Sequence, residues 1–431
     1  MDFRLLKEIE QLNPWLRDRS QSIAMQPSFI PRIQIQQLLN PEWDSLWTIL
    51  EGPRRAGKTT LGNYLAKTLI VAQRYSELLY LNCDYLSIRE WLSSPIFITE
   101  AIDVLSLQAP IVFIDEVQRL PNPGLLLKAV IDLGLPIKHI ATGSSQLEIK
   151  SKVQEFLTGR QLTSLILPLS YQEWGGERPI QELLTYGSYP QVLLSENKII
   201  QLTEIYTRYI QKDIIEILKM NQPDVLQNLL TLLAHSSGQL VNYNQLATDC
   251  KANIGIIRNQ LNILEKTFVV SKVLPFVGNK RVEVTSNPKY YFIDNGFRNV
   301  ALRNFENPEN RTDLGLLVEG FIFQEIFKFR AQHYLNFDIH FWRTKSGAEV
   351  DFVVFKNDHQ FIPIEIKYQR FTRPSISRGF RSFLEAYRPQ RAVIVTRDYI
   401  HRITISDSEI SFIPITQLNK IFQIIKTVVE P

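Results

Sequence analysis

Cysteine is nearly absent from this 431-residue sequence: Cys83 and Cys250 stand alone and far apart. Two such residues build neither a disulfide framework nor a cysteine-held zinc site. The six histidines show no metal-ligand spacing. No uncharged apolar run reaches the length needed to cross a bilayer, so no membrane partner is expected. The first ten residues, MDFRLLKEIE, are charged throughout and lack the apolar core of a secretory signal. A reducing cytoplasm is the expected compartment. Strong charge is missing as well. The 48 Lys and Arg against 44 Asp and Glu leave a net +4, which admits an acidic polymer as partner without requiring one. Neither an internal repeat nor a low-complexity tract occurs.

What is present is an ordinary globular composition, 45% hydrophobic and 21% charged, in a chain long enough for two to four domains. Residues 1–46 read as a helical, aromatic-containing lead-in, with NPWL at 13–16. From 47 onward strand and helix signals alternate. LWTILEG, LLYLNCD, IVFIDE, HIATGSS and LTSLILPLS are apolar strand candidates, and NYLAKTLIVAQRY has a helical period. This alternation predicts an α/β unit over 47–178, with a parallel sheet covered on both faces. The breaker cluster GGERP closes it. Residues 179–223 read as a helical lid or linker. Over 224–290, three short helical segments lead into the β-rich FVVSKVLPFVGNKRVEVT, a winged-helix pattern. The last unit, 291–431, starts with an amphipathic helix, LLVEGFIFQEIFKFR, and continues in strands.

The segment GPRRAGKTT at 52–60 contains G-x-x-x-x-G-K-[ST] directly after a strand and before a helix, the context of a phosphate-binding loop. Gly52, Pro53, Arg54, Arg55, Ala56, Gly57, Lys58, Thr59 and Thr60 are thus the expected nucleotide-binding residues. The glycines let backbone N–H groups and a helix N-terminus face the anion. Lys58 is expected to reach the β- and γ-phosphates of ATP, and Thr59 to place its hydroxyl on Mg²⁺. IVFIDE buries four residues and delivers Asp115 and Glu116 at its carboxyl end, where open α/β sheets bind ligands. Asp115 is expected beside Mg²⁺, and Glu116 to orient or deprotonate the attacking water. A polar strand end offers Thr142 or Ser144 to the γ-phosphate, with a plain turn as the equal alternative. Arg160 reads either as a finger toward a neighbour's nucleotide or as a solvated surface arginine.

GPRRAGKTTL, LLYLNCD, IVFIDEVQRLPN, ATGSS, LTGR and LPLSYQEW, in this order, resemble a large group of bacterial and archaeal AAA-superfamily ATPases. NPWL and YIQKDI look like the same group, although Lys212-Asp213 stands where its members often have Arg-Asp. The resemblance runs over nearly the whole chain. It implies an ATP-dependent switch or motor whose C-terminal half is a domain of unknown function, and it names no substrate. That half is similar in layout to restriction-endonuclease-like folds: a helix with Glu319, a strand with Asp351, a turn, and a strand with Glu365 and Lys367.

On a strand of period two, Glu365 and Lys367 share a face. If Asp351 faces them, two carboxylates about 4 Å apart at an effective dielectric near 20 repel by roughly 4 kcal/mol. A divalent cation, a second Mg²⁺ or Mn²⁺ held by Glu319, Asp351 and Glu365, would offset that, with Lys367 orienting water in metal-assisted hydrolysis. The plainer alternative is a cross-strand Asp351–Lys367 ion pair. For nucleic acid, Arg258 on a recognition-type helix and Lys280 and Arg281 at a hairpin tip are the candidates, without a strong basic footprint. Two functions follow: an ATPase controlling a metal-dependent nuclease acting on DNA or RNA, or a non-cleaving regulator whose C-terminal half binds a protein or nucleic acid. Homo-oligomers fit either.

Overall fold

The computed structural model describes residues 2–18, 23, 29–143, 157–215, 223–276, 287–405 and 407–430, the side chains of 211–213 excepted. Contacts divide it into two units, Met1–Pro168 and Leu169–Pro431. The divisions expected near 178, 223 and 290 fall inside the second unit.

In the first unit, β1 (Trp47–Glu51), β2 (Leu78–Asn82), β3 (Ile111–Asp115), β4 (Lys138–Gly143) and β5 (Gln161–Leu165) form one sheet in the order β2-β3-β4-β1-β5. Every pairing is parallel. Alternate residues go to opposite faces, as strand geometry requires. Trp47, Ile49, Val112 and Ile114 join one core, while Leu50, Ile111, Phe113 and Ile140 join the other with Leu61, Leu65 and Leu69 of a helix. Labelling Phe3–Leu12 as α1 makes that helix, Lys58–Val71, α2. It packs so closely that a Cβ on Gly62 would meet the Phe113 ring at 2.5 Å.

The edge strand β2 is covered by the lead-in. Asn13 donates to the Tyr80 carbonyl at 2.9 Å and accepts from the Tyr80 N–H at 2.6 Å, imitating a neighbouring strand. Trp15 Nε1 adds a bond to the Leu78 carbonyl at 2.7 Å. The NPWL segment is thus a cap on a sheet edge.

The second unit begins with helices, including Lys198–Arg208, which continues as a π-helix over Tyr209–Ile214. Counting onward from α3 (Pro123–Asp132) in the first unit, α4 (Pro223–His235), α5 (Tyr243–Asp249) and α6 (Ile254–Lys266) lead to β6 (Val270–Pro275) and β7 (Lys289–Phe292). Asn242 and Asn253 cap α5 and α6 through their side chains. β6 and β7 pair antiparallel. After α7 (Leu314–Gln332) come β8 (Asp338–Arg343), β9 (Glu349–Asn357), β10 (Gln360–Lys367), α8 (Arg378–Tyr387), β11 (Arg391–Thr396), β12 (His401–Ile405), β13 (Ser408–Pro414) and α9 (Leu418–Val429). All eight of these strands lie in one sheet, ordered β12-β13-β11-β10-β9-β8-β6-β7. The β6–β7 hairpin, read from sequence as part of a separate module, is joined to the last sheet by a parallel β6–β8 pairing at Leu274–His340 and Pro275–Phe341. Phe380, Phe383 and Leu384 of α8 pack on Val353, Ile394 and Ile410. Phe323 of α7 stacks on Tyr291 of β7 at 4.7 Å.

Candidate nucleotide site and an acidic centre

Residues 52–57 connect β1 to α2 through a tight loop. Gly52 (φ 145°), Arg55 (φ 63°) and Gly57 (φ 95°) have positive φ. At Gly52 a Cβ would lie 2.0 Å from the Ile166 carbonyl oxygen, so only glycine fits there. Pro53 and Ala56 are buried, Arg54 is half-buried and Arg55 exposed. Lys58 opens α2 and donates to the carbonyls of Gly52 at 3.0 Å and Pro53 at 2.9 Å, lying across the loop. Burial pulls its ammonium below the usual lysine range, against the opposing pull of Glu116 and Asp115. Thr60 follows in the same helical turn.

Asp115 ends β3 almost fully buried. Its carboxylate accepts from Thr59 Oγ1 at 3.0 Å, from Tyr80 OH at 2.7 Å and from Thr142 Oγ1. Burial raises its pKa, and the hydroxyl donors oppose the rise. Glu116 adopts a left-handed conformation, φ 55°. Its N–H donates to Thr142 Oγ1 at 3.0 Å, and its carboxylate accepts from Gln118 Nε2. Thr142 therefore ties the two acids together. Thr59, Asp115 and Thr142 converge at the carboxyl end of the sheet, beside the loop that Lys58 crosses. A hydroxyl and a carboxylate 3.0 Å apart fit the oxygen donor set of Mg²⁺.

Arg160 stands at the opposite end of the sheet, just before β5, where it pairs with Asp132 at the end of α3. It is therefore distant from this chain's own phosphate loop. Ser144 lies outside the described residues, as do Lys280 and Arg281. Arg258 on α6 sits 5.3 Å from the Tyr243 ring, at a cavity of about 550 Å³ that is also lined by Asn262, Glu265 and Lys272.

Two residues of the nucleotide region carry no sequence signal. Arg32 donates to the Ala56 carbonyl at 3.0 Å and the Leu167 carbonyl at 2.5 Å, pinning the phosphate loop to the segment after β5. Tyr80 reaches Asp115 from the neighbouring strand. Neither contact is encoded by local spacing.

In the second unit, Lys367 Nζ lies 2.8 Å from Glu365. Glu365 is buried, and its Oε2 has no hydrogen-bond partner. Asp351 accepts the Ile366 N–H at 2.7 Å. Burial first, then the charge of Glu319, pushes the Asp351 carboxyl up to about 8. Glu319 accepts from Tyr291 OH at 2.5 Å and lies 3.6 Å from Lys289 Nζ. The three acids expected as ligands are thus electrostatic neighbours. Among the described residues, however, no group of three or more His, Cys, Asp or Glu side chains is placed to hold a metal ion. The expected ligand set is not assembled as a metal centre. The cross-strand Asp351–Lys367 pair is also replaced: Lys367 bonds its strand-mate Glu365.

Residues 44–175 match the family described as AAA domain. Residues 177–309 and 314–418 match two families described as domains of unknown function, DUF8612 and DUF4143. An uncharacterized protein of Mycobacterium tuberculosis is 25% identical over 378 residues, which cover 86% of this chain and 80% of the relative. Another, from Haemophilus influenzae, is 23% identical over 407 residues, covering 88% and 96%. Among solved structures, PCH-2 of C. elegans matches 53% of this chain and 65% of its own at 15% identity and a TM-score of 0.24. A signal-transduction ATPase with numerous domains from Pyrococcus horikoshii matches 72% and 48% at 14% identity and a TM-score of 0.26. The first unit carries an AAA-type domain. No helix among the described residues is long and apolar enough to cross a membrane.

Proposed function

We propose that the chain binds ATP with Mg²⁺, hydrolyses it, and couples nucleotide state to its second unit. One observation carries the first part: the Thr59 hydroxyl and the Asp115 carboxylate, from the start of α2 and the end of β3, meet at 3.0 Å. In this reading the loop amides and Lys58 bind the phosphates, and Thr59 and Asp115 hold Mg²⁺. The ion, when bound, neutralises charge developing on the phosphate oxygens. Glu116 orients the water and accepts its proton, and Gln118 and Thr142 fix where that carboxylate stands. Lys58→Ala is expected to abolish ATP binding, and Glu116→Gln to retain ATP with turnover reduced at least a hundredfold. Filter binding and phosphate release measure the two. Normal turnover in the Glu116→Gln protein would remove that residue from its role.

For the second unit, the proposed reading is a winged helix over 224–290 followed by a restriction-endonuclease-like fold, used on DNA, RNA or a protein. Metal-dependent cleavage by Asp351, Glu365 and Lys367 draws support from the buried, unbonded Glu365 Oε2, which is suited to a cation. The non-cleaving regulator is favoured by a different residue, Lys289, whose ammonium already pairs with Glu319 and Glu349 beside them. Incubation with Mn²⁺, ATP and varied nucleic acids separates the two, since cleavage abolished by Asp351→Asn would establish the first.

A further inference from the structure

The acidic centre of the second unit brings its own cation. Lys289 is the first residue of β7 and is 2% exposed. Its Nζ lies 2.5 Å from Glu349 Oε1 and 3.6 Å from Glu319 Oε1. Two residues on, and so on the same strand face, Tyr291 donates to that same Glu319 oxygen at 2.5 Å. The turn after α4 covers the group from another side: a Cβ on Gly238 would come 2.9 Å from Glu319 Oε1 and 3.1 Å from the Tyr291 ring. Arg343 bonds the second oxygen of Glu349 at 2.9 Å, and Lys367 bonds Glu365. Four carboxylates, Glu319, Glu349, Asp351 and Glu365, thus meet three basic side chains.

A hard divalent ion takes six or more oxygen ligands at short range. An ammonium offers three donors and a single charge, and it can serve two carboxylates without gathering the rest into one shell. Here the Lys289 head lies between Glu319 and Glu349 and pairs with both. We propose that the Lys289 ammonium holds the place of a divalent cation, making this centre a latent metal site kept closed by the β6–β7 hairpin. The inference rests on the non-cleaving reading of the second unit and is independent of ATP hydrolysis.

Mn²⁺ binding to the nucleotide-free full chain, followed by electron paramagnetic resonance, tests it. The wild-type chain is expected to show no Asp351-dependent Mn²⁺ binding. Lys289→Ala, which removes both charge and stem, should gain one Mn²⁺ site per chain, bound at least tenfold tighter than anything in wild type. That site should vanish on adding Asp351→Asn, and Lys289→Arg should stay closed. Wild-type binding abolished by Asp351→Asn overturns the proposal, as does a folded Lys289→Ala chain that gains no site. The wild-type arm decides even if Lys289→Ala fails to fold. Asp351-dependent Mn²⁺ binding by wild type without nucleic-acid cleavage overturns only this inference, whereas Asp351-dependent cleavage overturns the non-cleaving reading itself.

Discussion

His139 lies in β4 with its ring 4.7 Å from that of Trp47, and neither ring nitrogen has a hydrogen-bond partner. Burial, aided by Lys138, pushes its imidazole down to about 3. The folded chain therefore keeps this ring neutral at acidities where the unfolded chain protonates it. The resulting stability is complete above the unfolded value near 6.5 and drains away as pH falls toward 3, at roughly 1.4 kcal/mol per pH unit. Urea midpoints of the first unit should accordingly fall between pH 7 and pH 4.5, and His139→Leu should flatten that slope. An unchanged slope in the variant would assign the acid sensitivity elsewhere. Legibility differs sharply from residue to residue. Lys58, Thr59, Asp115 and Glu116 could be read in advance because loop spacing and strand burial together fix where they emerge. Arg32, Tyr80 and Lys289 could not, since each acts on a partner far along the chain. Lys289 did leave a trace, an ammonium flanked by proline and apolar neighbours in KYYF, but that pattern also fits an exposed edge.

Strand β2 would be an open edge were it not for the lead-in. Asn13 satisfies both the N–H and the carbonyl of Tyr80, and Trp15 a third backbone group. Unpaired edges template association with other chains, and each lost bond to a partly buried backbone group costs about 1–3 kcal/mol. Asn13→Ala should destabilise the first unit by about that amount and cause concentration-dependent association, visible by light scattering. A monomeric, equally stable variant would show that the cap is dispensable. At this scale the sequence was informative. The five strands follow from apolar runs alternating with helical periods, and all five occur. LTSLILPLS supplies only Leu162–Leu165 of the strand Gln161–Leu165: past a last bond from the Ile166 N–H to the Glu51 carbonyl, Ile166 and Leu167 back the phosphate loop, Ile166 against Gly52 and Leu167 against Arg32. Within the helical stretch expected over 179–223, the helix Lys198–Arg208 turns into a π-helix at Tyr209, a change of winding that hydrophobic periodicity does not report.

At the scale of the molecule, the shared sheet decides where the chain can be divided. A piece limited to 291–431 loses β6 and the first half of β7, exposes the edge of β8 at His340 and Phe341, and strips Glu319 of Lys289. A piece spanning 169–431 keeps them. The longer piece is expected to elute as a discrete species in size-exclusion chromatography and the shorter to aggregate; the reverse would mean the hairpin is no part of that sheet. The boundary expected at 290 closes a pattern of three helices and a hairpin, and that pattern carries no sign that the hairpin pairs onward with β8. The polar stretch that follows, at 303–313, is tied down by Arg311, which bonds Asn299 at 2.9 Å and Asp313 at 2.8 Å. The order β2-β3-β4-β1-β5 carries a further consequence for biosynthesis. The first strand made, Trp47–Glu51, pairs among the described strands with β4 and β5, the last two of its sheet to leave the ribosome. At about 5–20 residues per second of translation, its apolar WTILE waits on the order of ten seconds for a partner. During that interval the nascent chain depends on whatever shields it, so translation speed through this stretch bears directly on yield.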